Sequence, residues 1–374
     1  MHHVRRLGPL LLLGLLGSGA ARTAPTVLSV PQAGPSSTVL PGGIADATGR
    51  TGFFASAGGG IEALDLATGK VLWHTHEAQR PLLVVKDHLL AQAGVKRNRL
   101  RILRLDLTHK GECDLESDPV VFPAWVVTGE ALGRSFSTHW HVEKHQLVLE
   151  WEASAWYVGK ARPTVEQEMA ARKHTSGVAL VDLRTGQVEV RPATKIAAPS
   201  APLLPEHLEK KAVRWQGLVG QQWKVLTLEE TKEGQHLMFY SWDRQSDKCS
   251  EPKELLRGKR LVVRATLDER FLCLREAHPR PDEKDLLTPS KPVSWWWLFS
   301  VETGELMGRI PAEPGMHAVV VLGKRVLYLM PGSLRGPLDP HTLQPRMLKA
   351  IDLTSGKKLW ERAVAGKLLT PPRL

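Results

Sequence analysis

Residues Ile61–Trp73 read IEALDLATGKVLW, and weaker copies of this stretch recur towards the end of the chain. The last copy is KAIDLTSGKKLW at Lys349–Trp360. Two further copies are VALVDLRTGQVEV at Val178–Val190 and WWLFSVETGELMG at Trp296–Gly308. The same ordered set of residues in several copies indicates an internal structural repeat.

The repeated unit predicts a β-hairpin. In the first copy Ile61, Ala63 and Asp65 fall on one face of an extended strand, with the intervening residues on the other. Gly69 follows at a turn position that usually needs a positive φ. The Asp65 carboxylate is placed to accept from backbone N–H groups two or three residues on, which fixes the turn before the second strand leaves.

The spacing of the turns predicts an all-β propeller. The residues aligned with Asp65 are separated by 41, 76, 61, 57 and 52 residues, and repeats of about 40–50 residues built from short strands are typical of propeller blades. The longer intervals then need insertions. The aligned residues are Asp106, Asp182, Asp243, Ser300 and Asp352, and the turn glycines are Gly69, Gly186, Gly304 and Gly356.

We expect six four-stranded blades, with a seventh as an alternative if Val120–Thr128 starts a blade of its own. Thr26–Val30 reads as a tether or a first strand. The sequence leaves the closure of the ring open, and completion of the last blade by this strand is one option. The six expected blades are Gly52–Glu77, Pro81–Pro119, Phe136–Arg191, Ala212–Leu256, Lys259–Ile310 and Met316–Val364.

The insertions are predicted to gather on one side of the disc. In a four-stranded blade the Thr-Gly turns join the third and fourth strands, whereas Gly159–Gly177, Ala277–Val293 and Pro331–Pro345 join the second and third. These two kinds of connection emerge on opposite sides. Loops held on a rigid scaffold commonly carry binding residues. The candidate binding residues are Lys160, Arg162, Arg172, His174, Arg280, Lys284 and Arg335.

The N-terminal pattern predicts export. Met1–Ala21 has two arginines, the apolar run Leu10–Leu16 and a small-residue end, which are the three regions of a secretory signal peptide. We expect residues 1–21 to be this signal, residues 22–50 a tether or first strand rich in Pro, Gly and Ser, residues 51–366 the propeller and residues 367–374 a tail. The expected location is periplasmic or extracellular, with no transmembrane helix in the mature chain.

Composition sets few constraints on the partner. The formal net charge is +11, or +9 without Arg5 and Arg6. Export and the lack of a dense Lys/Arg run disfavour nucleic acid as the partner. The positive charge then indicates a solvated basic surface, or binding to an envelope surface or an anionic polysaccharide. The three cysteines are too few and too far apart for a disulfide framework, so free thiols are favoured over a single bridge.

The pattern A-L-D-x-x-T-G-K-x-L-W at Ala63–Trp73, with its copy at Ala350–Trp360, resembles the repeat of the pyrroloquinoline-quinone-like propeller family. That family includes quinoprotein dehydrogenases and non-catalytic members similar to the propeller lipoprotein of the outer-membrane barrel-assembly machinery. In it the closing tryptophan docks onto a neighbouring blade. The resemblance gives this role to Trp73 and Trp360, and it implies fold more than activity.

The sequence disfavours quinone chemistry. The resemblance implies that such a dehydrogenase needs calcium held by Glu, Asn and Asp, and often a pair of adjacent cysteines. This chain has no such pair, and its single asparagine, Asn98, lies among Lys96, Arg97 and Arg99. We therefore expect no cofactor, no metal and no catalytic residue.

Histidine and tryptophan clusters have structural interpretations that we favour. His74-x-His76 and His139-x-His141 supply two potential metal ligands each, but no third ligand accompanies them, so surface or stacking roles are favoured. Trp295-Trp296-Trp297 alternates between the two faces of a strand, which favours packing between blades over a ligand-stacking platform. The leading prediction is an exported, non-catalytic binding or assembly scaffold whose partner is an envelope or extracellular protein. A quinone-dependent dehydrogenase and a polysaccharide-binding propeller remain as alternatives.

Overall fold

The computed structural model describes residues 28–29, 37–128, 134–156, 173–192, 204–205, 210–277, 294–331 and 346–365, apart from 97, 244 and 314, together with residues 164, 166, 169, 172 and 208. The predicted signal peptide, the tail and most of the three insertions lie outside these residues. The regular secondary structure of the described part is almost entirely β-strand.

Three antiparallel sheets form the first half of the chain. In each, consecutive strands pair as a meander, as short strands with tight turns favour, except that the fifth strand of the second sheet pairs with its third strand. Sheet 1 contains β2 (Thr38–Leu40), β3 (Gly43–Ala45), β4 (Thr51–Ala55), β5 (Ile61–Asp65) and β6 (Val71–Thr75). Sheet 2 contains β7 (Arg80–Val85), β8 (His88–Lys96), β9 (Arg99–Asp106), β10 (Glu112–Glu116) and β11 (Val120–Val121). Sheet 3 contains β12 (Arg134–Glu143), β13 (Gln146–Ala155), β14 (Lys173–Asp182) and β15 (Val188–Pro192).

Three further sheets follow in the second half. Sheet 4 contains β16 (Ala212–Val219), β17 (Gln222–Thr231), β18 (Gly234–Asp243), β19 (Lys248–Cys249) and β20 (Lys253–Gly258), and it gains β1 (Leu28–Ser29). Sheet 5 contains β21 (Leu261–Ala265), β22 (Phe271–Glu276), β23 (Trp295–Ser300) and β24 (Leu306–Pro311). Sheet 6 contains β25 (His317–Leu322), β26 (Arg325–Met330), β27 (Arg346–Asp352) and β28 (Lys358–Val364).

The sheets pack face to face around a ring, which makes the fold a β-propeller. Separate hydrophobic clusters join sheet 1 to sheet 2, sheet 2 to sheet 3, sheet 4 to sheet 5 and sheet 5 to sheet 6. A further cluster joins sheet 6 back to sheet 1, with Leu348 and Leu64 both fully buried. The predicted all-β propeller class is therefore confirmed.

The junction between sheets 3 and 4 differs from the other five. Among the described residues no hydrophobic cluster includes both sheets. The face of sheet 4 that does not pack on sheet 5 instead contacts Leu208, which is fully buried against Val225 and Tyr240. Leu208 precedes β16, so a connecting segment takes the place of a neighbouring sheet in this core.

The N-terminal strand does not lie in the last blade. Leu28–Ser29 pairs in parallel with Gly217–Leu218 of sheet 4, so this strand does not complete the last blade. The end of sheet 6 meets sheet 1 directly, through the Ser56–Val364 bridge and a hydrogen bond from Ala365 N to Ala55 O. The ring thus closes by packing and backbone contacts between complete sheets.

The structure also revises the ends of two predicted segments. β14 begins at Lys173, where the insertion Gly159–Gly177 was expected to continue, because residues up to Ala155 of β13 have cross-strand partners there. Val120–Val121 pairs with β9 and so extends sheet 2 instead of starting a separate sheet. The described residues form six sheets.

Strand direction defines two sides of the ring. The turn side carries the hairpins with Asp65 and its equivalents, together with the connections between the first two long strands of each sheet. The insertion side carries the connections β13–β14, β22–β23 and β26–β27 and the links from one sheet to the next. Within the described residues, no helix has the length and apolar character needed to span a membrane.

Candidate functional site

The turn-side hairpins are held by local hydrogen bonds. The Asp65 carboxylate accepts from Ala67 N at 2.9 Å, from Thr68 N at 2.8 Å and from Thr68 Oγ1 at 3.0 Å. Gly69 N donates to Asp65 O at 2.8 Å, and Gly69 has a φ of 70°. The bonds from Thr68 lower the pKa of Asp65, because they favour its charged form.

The other predicted turns repeat this geometry. In each, the glycine N donates to the backbone oxygen of the anchoring residue at 2.8 Å, and the glycine has a positive φ. Ser300 makes only a 3.4 Å side-chain contact with Thr303 N, as expected for a weaker anchor. The anchor and glycine pairs are Asp182 with Gly186, Ser300 with Gly304, and Asp352 with Gly356.

Tryptophans of one sheet pack on the turn glycine of the next. A Cβ built on Gly69 would lie 2.7 Å from the Trp360 ring, and one built on Gly111 would lie 2.6 Å from the Trp73 ring. Trp360 Nε1 also donates to Leu66 O at 3.1 Å. The turn glycines therefore serve both the backbone conformation and the contact between sheets. One oxygen of the Asp65 carboxylate, the Gly69 N–H and the indole N–H of Trp360 are all bonded within the fold.

Most of the predicted binding residues cannot be placed. Lys160, Arg162, Arg280, Lys284 and Arg335 lie outside the described residues. Arg172 and His174 are described, and both are exposed on the insertion side.

His174 belongs to β14 rather than to a loop. Its Nδ1 lies 3.2 Å from Ser154 Oγ and 3.7 Å from Glu152 Oε1. Because His174 and Glu152 are both largely exposed, this contact adds little to stability. It does leave a polar strand edge accessible to a partner.

An arginine–tryptophan cluster lies at the insertion side of sheets 5 and 6. The guanidinium carbons of Arg264 and Arg275 lie 5.6 Å and 4.8 Å from the centre of the Trp296 ring. Trp296 is 3% exposed and packs in the core between the two sheets. Arg264 Nη1 also donates to Met316 O at 2.6 Å, across to the start of sheet 6.

The opposite face of β23 carries a second stack. The Arg309 guanidinium lies 4.5 Å from the Trp295 ring and 5.7 Å from the Trp297 ring. Trp297 packs against the core between sheets 4 and 5, so the three tryptophans alternate between faces. They bind cations of their own sheet and pack between sheets, which agrees with the favoured interpretation of this triplet.

Sequence reasoning missed the arginines of this cluster. Arg264 and Arg275 belong to strands, whereas the predicted residues were sought in the insertions. The sequence did contain a signal for this contact. Arg275 and Trp296 flank the longest insertion of sheet 5. If that insertion joins two paired strands, the two residues must lie close together.

A cleft of about 560 Å³ lies at the outer edge of sheets 1 and 2. Its polar lining includes Glu77, Asp114, Glu116 and the thiol of Cys113. Asp114 pairs with Arg104 at 2.9 Å, and Glu116 pairs with Arg101, so two of the three carboxylates are already neutralised. Burial raises the pKa of Cys113, which disfavours the reactive thiolate. The arrangement lacks an activated nucleophile.

The cysteines and histidines show no assembled centre. Cys113, Cys249 and Cys273 are free thiols, and burial raises the pKa of Cys273 to about 12. His74 and His76 stack edge-on with ring centres 4.2 Å apart, and His74 Nε2 contacts Gly59 O at 2.9 Å. In the described part of the chain, no three metal-ligating side chains gather at one point. Asn98 Nδ2 donates to Phe122 O at 2.9 Å, which is a structural bond.

Comparisons with known proteins give distant likenesses in fold. No family model matches the chain, and no curated protein matches it. Similar solved structures include the dihydro-heme d1 dehydrogenase NirN in complex with DHE, with 16% identity, a TM-score of 0.28 and coverage of 85% of this chain and 64% of that chain. The Dos1 propeller has 10% identity, a TM-score of 0.25 and coverage of 85% and 70%. A europium-containing methanol dehydrogenase has 15% identity, a TM-score of 0.22 and coverage of 88% and 68%. At these values no reaction or ligand transfers to this chain.

Proposed function

We propose that this chain is an exported, non-catalytic propeller that binds another envelope or extracellular protein through its insertion side. This places it with the non-catalytic members of the family that its repeats resemble. The part of the proposal that concerns export depends on the signal-peptide pattern of Met1–Ala21.

The observation that supports binding through the insertion side is a difference in charge pairing between the two sides of the ring. On the turn side, the Asp65 and Asp182 carboxylates are occupied by bonds within their own hairpins. On the insertion side, Arg264, Arg275 and Arg346 have no carboxylate within ion-pair distance among the described residues. Unpaired guanidiniums on a rigid scaffold are suited to binding a partner, because arginine is enriched at protein interfaces.

Two of the predicted binding residues lie on the same side of the ring. Arg172 and His174 are exposed on the same side in sheet 3. Arg162, Arg280 and Lys284 belong to the insertions that leave from this side. A partner that spans several sheets would contact residues from both the strands and the insertions.

Site-specific photo-crosslinking in the producing cell tests this proposal. A photoreactive residue replaces Arg172 or Arg309 on the insertion side, or Lys70 or Lys357 on the turn side as the matched control. We expect a discrete crosslinked protein from the insertion-side positions only. Equal crosslinking from both sides, or crosslinking from the turn side alone, would contradict the proposal.

A charge-reversal variant provides an independent readout. Replacement of Arg162, Arg172, Arg280 and Lys284 by Glu should abolish recovery of the crosslinked partner while the thermal unfolding midpoint stays unchanged. Recovery at the wild-type level would exclude these residues from the interface. Recovery of a polysaccharide in place of a protein would favour the alternative of a glycan-binding propeller.

A further inference from the structure

Basic residues of sheets 5 and 6 form two neighbouring groups on the insertion side. Arg264 and Arg275 lie over Trp296 between sheets 5 and 6. Arg346 and His317 lie on the other face of sheet 6, the face that packs on sheet 1. Arg275 is near the end of β22, Trp296 near the start of β23, His317 at the start of β25 and Arg346 at the start of β27. These strand ends all lie on the insertion side. Arg264 links the two groups because its guanidinium reaches Met316 O, next to His317.

The Trp296 ring contacts two guanidiniums, and Arg264 also uses one N–H to bind Met316 O. Arg264 and Arg275 both lie within cation–π range of Trp296, whose ring is buried. Because a guanidinium has several N–H donors, one that contacts a ring keeps others available for a bidentate acceptor. The contacts with Trp296 hold the two side chains in place before any ligand binds, which reduces the entropy lost on binding.

His317 orients the third arginine. His317 Nδ1 lies 2.8 Å from Gly315 O, so this nitrogen donates, and Nε2 then accepts from Arg346 Nη1 at 2.8 Å. Arg346 uses one N–H in this bond. The rest of its guanidinium edge has no carboxylate partner among the described residues.

The two groups have an unbalanced positive charge. The nearest carboxylate in the link between sheets 5 and 6, Glu313, is occupied by Lys349 Nζ and by Tyr328 Oη at 2.8 Å. Arg275 Nε is inaccessible to solvent and has no hydrogen-bond partner in the described residues. Burial and, secondly, the neighbouring Arg264 cation lower the pKa of Arg275, as expected when a cation lacks a compensating charge.

We infer that Arg264, Arg275 and Arg346 bind carboxylates of an acidic segment of a partner protein. This inference rests on the proposed function, and it adds the chemical class of the partner. Guanidinium edges match carboxylates in geometry and charge. The Trp296 ring is already covered on its faces, so it has no free surface on which a sugar ring would stack.

Binding of a defined peptide tests the inference without a known partner. The probe is a fluorescent peptide of alternating Glu and Ser, and the matched probe replaces Glu with Gln. By anisotropy we expect the wild-type chain to bind the acidic peptide at low salt, with affinity falling as ionic strength rises, and not to bind the neutral peptide.

The variants separate these two groups from general basic charge. The triple variant Arg264→Gln, Arg275→Gln and Arg346→Gln should bind at least about ten-fold more weakly. The control Arg50→Gln, Arg184→Gln and Arg270→Gln removes the same charge from the turn side and should change affinity by less than about two-fold. A third variant with Lys at positions 264, 275 and 346 keeps the charge but loses the planar guanidinium that can donate two parallel hydrogen bonds. We therefore expect an intermediate affinity.

Four outcomes would overturn the inference. Equal losses in the triple variant and its control would indicate nonspecific charge. Stronger binding of a sulfated or carboxylated oligosaccharide than of the peptide, lost in the triple variant, would assign the three arginines to a glycan. Peptide binding that occurs only after Asp282→Asn, Glu283→Gln and Asp285→Asn would show that the chain's own insertion occupies the arginines. If the peptide does not bind but crosslinking still finds a partner on the insertion side, the inference fails while the proposed function stands.

Discussion

Trp360 Nε1 donates a hydrogen bond to Leu66 O at 3.1 Å, and the same indole ring covers Gly69. The contact joins the last sheet to the first, between residues that are far apart in sequence. Because the ring leaves no space for a Cβ, the glycine is needed for packing as well as for its φ of 70°.

A pair of glycine substitutions isolates this packing role. Gly69→Ala should lower the free energy of unfolding by about 2–4 kcal/mol, since it combines backbone strain with overpacking against Trp360. Gly49 has a φ of 63° and no atom within 4 Å of a built Cβ, so Gly49→Ala should cost only about 1 kcal/mol. Urea unfolding of both variants gives the difference, and equal costs would show that the contact with Trp360 contributes nothing.

Glu269 should make stability depend on pH. Burial and, secondly, the Asp268 carboxylate raise the pKa of Glu269 from its usual 4.5 to about 7. The folded chain therefore keeps a proton that the unfolded chain has released, and the resulting stabilisation is lost as pH rises from about 4.5 to about 7. We expect the free energy of unfolding to fall by about 1–3 kcal/mol over this range.

Glu269→Gln is the matched variant for this effect. It keeps the shape and removes the titration, so the variant should lose less stability than wild type between pH 5 and pH 7.5. Urea unfolding at both pH values measures this difference. Parallel pH profiles for the two proteins would contradict the assignment.

Arg80 is expected to oppose stability. Its Nε and Nη2 are inaccessible to solvent and have no partner in the described residues, although the guanidinium lies 5.1 Å from the Trp140 ring. Burial lowers the pKa of Arg80 to about 10. Arg80→Met should therefore raise the free energy of unfolding by about 1 kcal/mol, because an uncompensated cation is replaced by an apolar side chain.

Arg134 provides the control for Arg80. It occupies the first position of β12, as Arg80 does in β7, but its Nη1 donates to Trp125 O. Arg134→Met should be destabilising. If Arg80→Met is also destabilising by a similar amount, Arg80 has an acceptor beyond the described residues.

The N-terminal strand should protect the edge of sheet 4. Leu28–Ser29 pairs with Gly217–Leu218, so deletion of residues 22–30 exposes that edge. We expect hydrogen exchange at Gly217–Leu218 to accelerate by about ten-fold or more, with no change in β26. Unchanged exchange would show that the pairing does not form in solution, and faster exchange throughout would indicate a general loss of stability.

The features that sequence predicted best are local. The turn of Asp65 is specified by six residues whose side chains and backbone bond to one another, so its geometry follows from the motif. The alternation of Trp295, Trp296 and Trp297 follows from strand periodicity in the same way. Such features depend only on residues close together in sequence, so the same residues predict the same local geometry in each repeat.

The features that sequence missed depend on distant partners. β14 extends to Lys173 because Lys173 pairs with Ala155 of β13. The length of the insertion between these two residues does not predict this pairing. The position of Leu28 depends on an edge in sheet 4. Arg264 and Trp296 meet only after β21, β22 and β23 have aligned, so their contact was not available from residue spacing.

Covalent order and packing order differ around this ring. Sheets 6 and 1 lie at opposite ends of the chain, yet they share a core and the Arg362–Glu62 pair at 2.8 Å, whereas consecutive sheets 3 and 4 share no hydrophobic cluster in the described residues. The sheets therefore form a packed series that starts at sheet 4, passes through the chain ends and finishes at sheet 3. A circular permutant that links residue 365 to residue 37 and opens between sheets 3 and 4 would keep all five shared cores. Its new termini would lie at the junction where the backbone connects two sheets that share no hydrophobic cluster in the described residues.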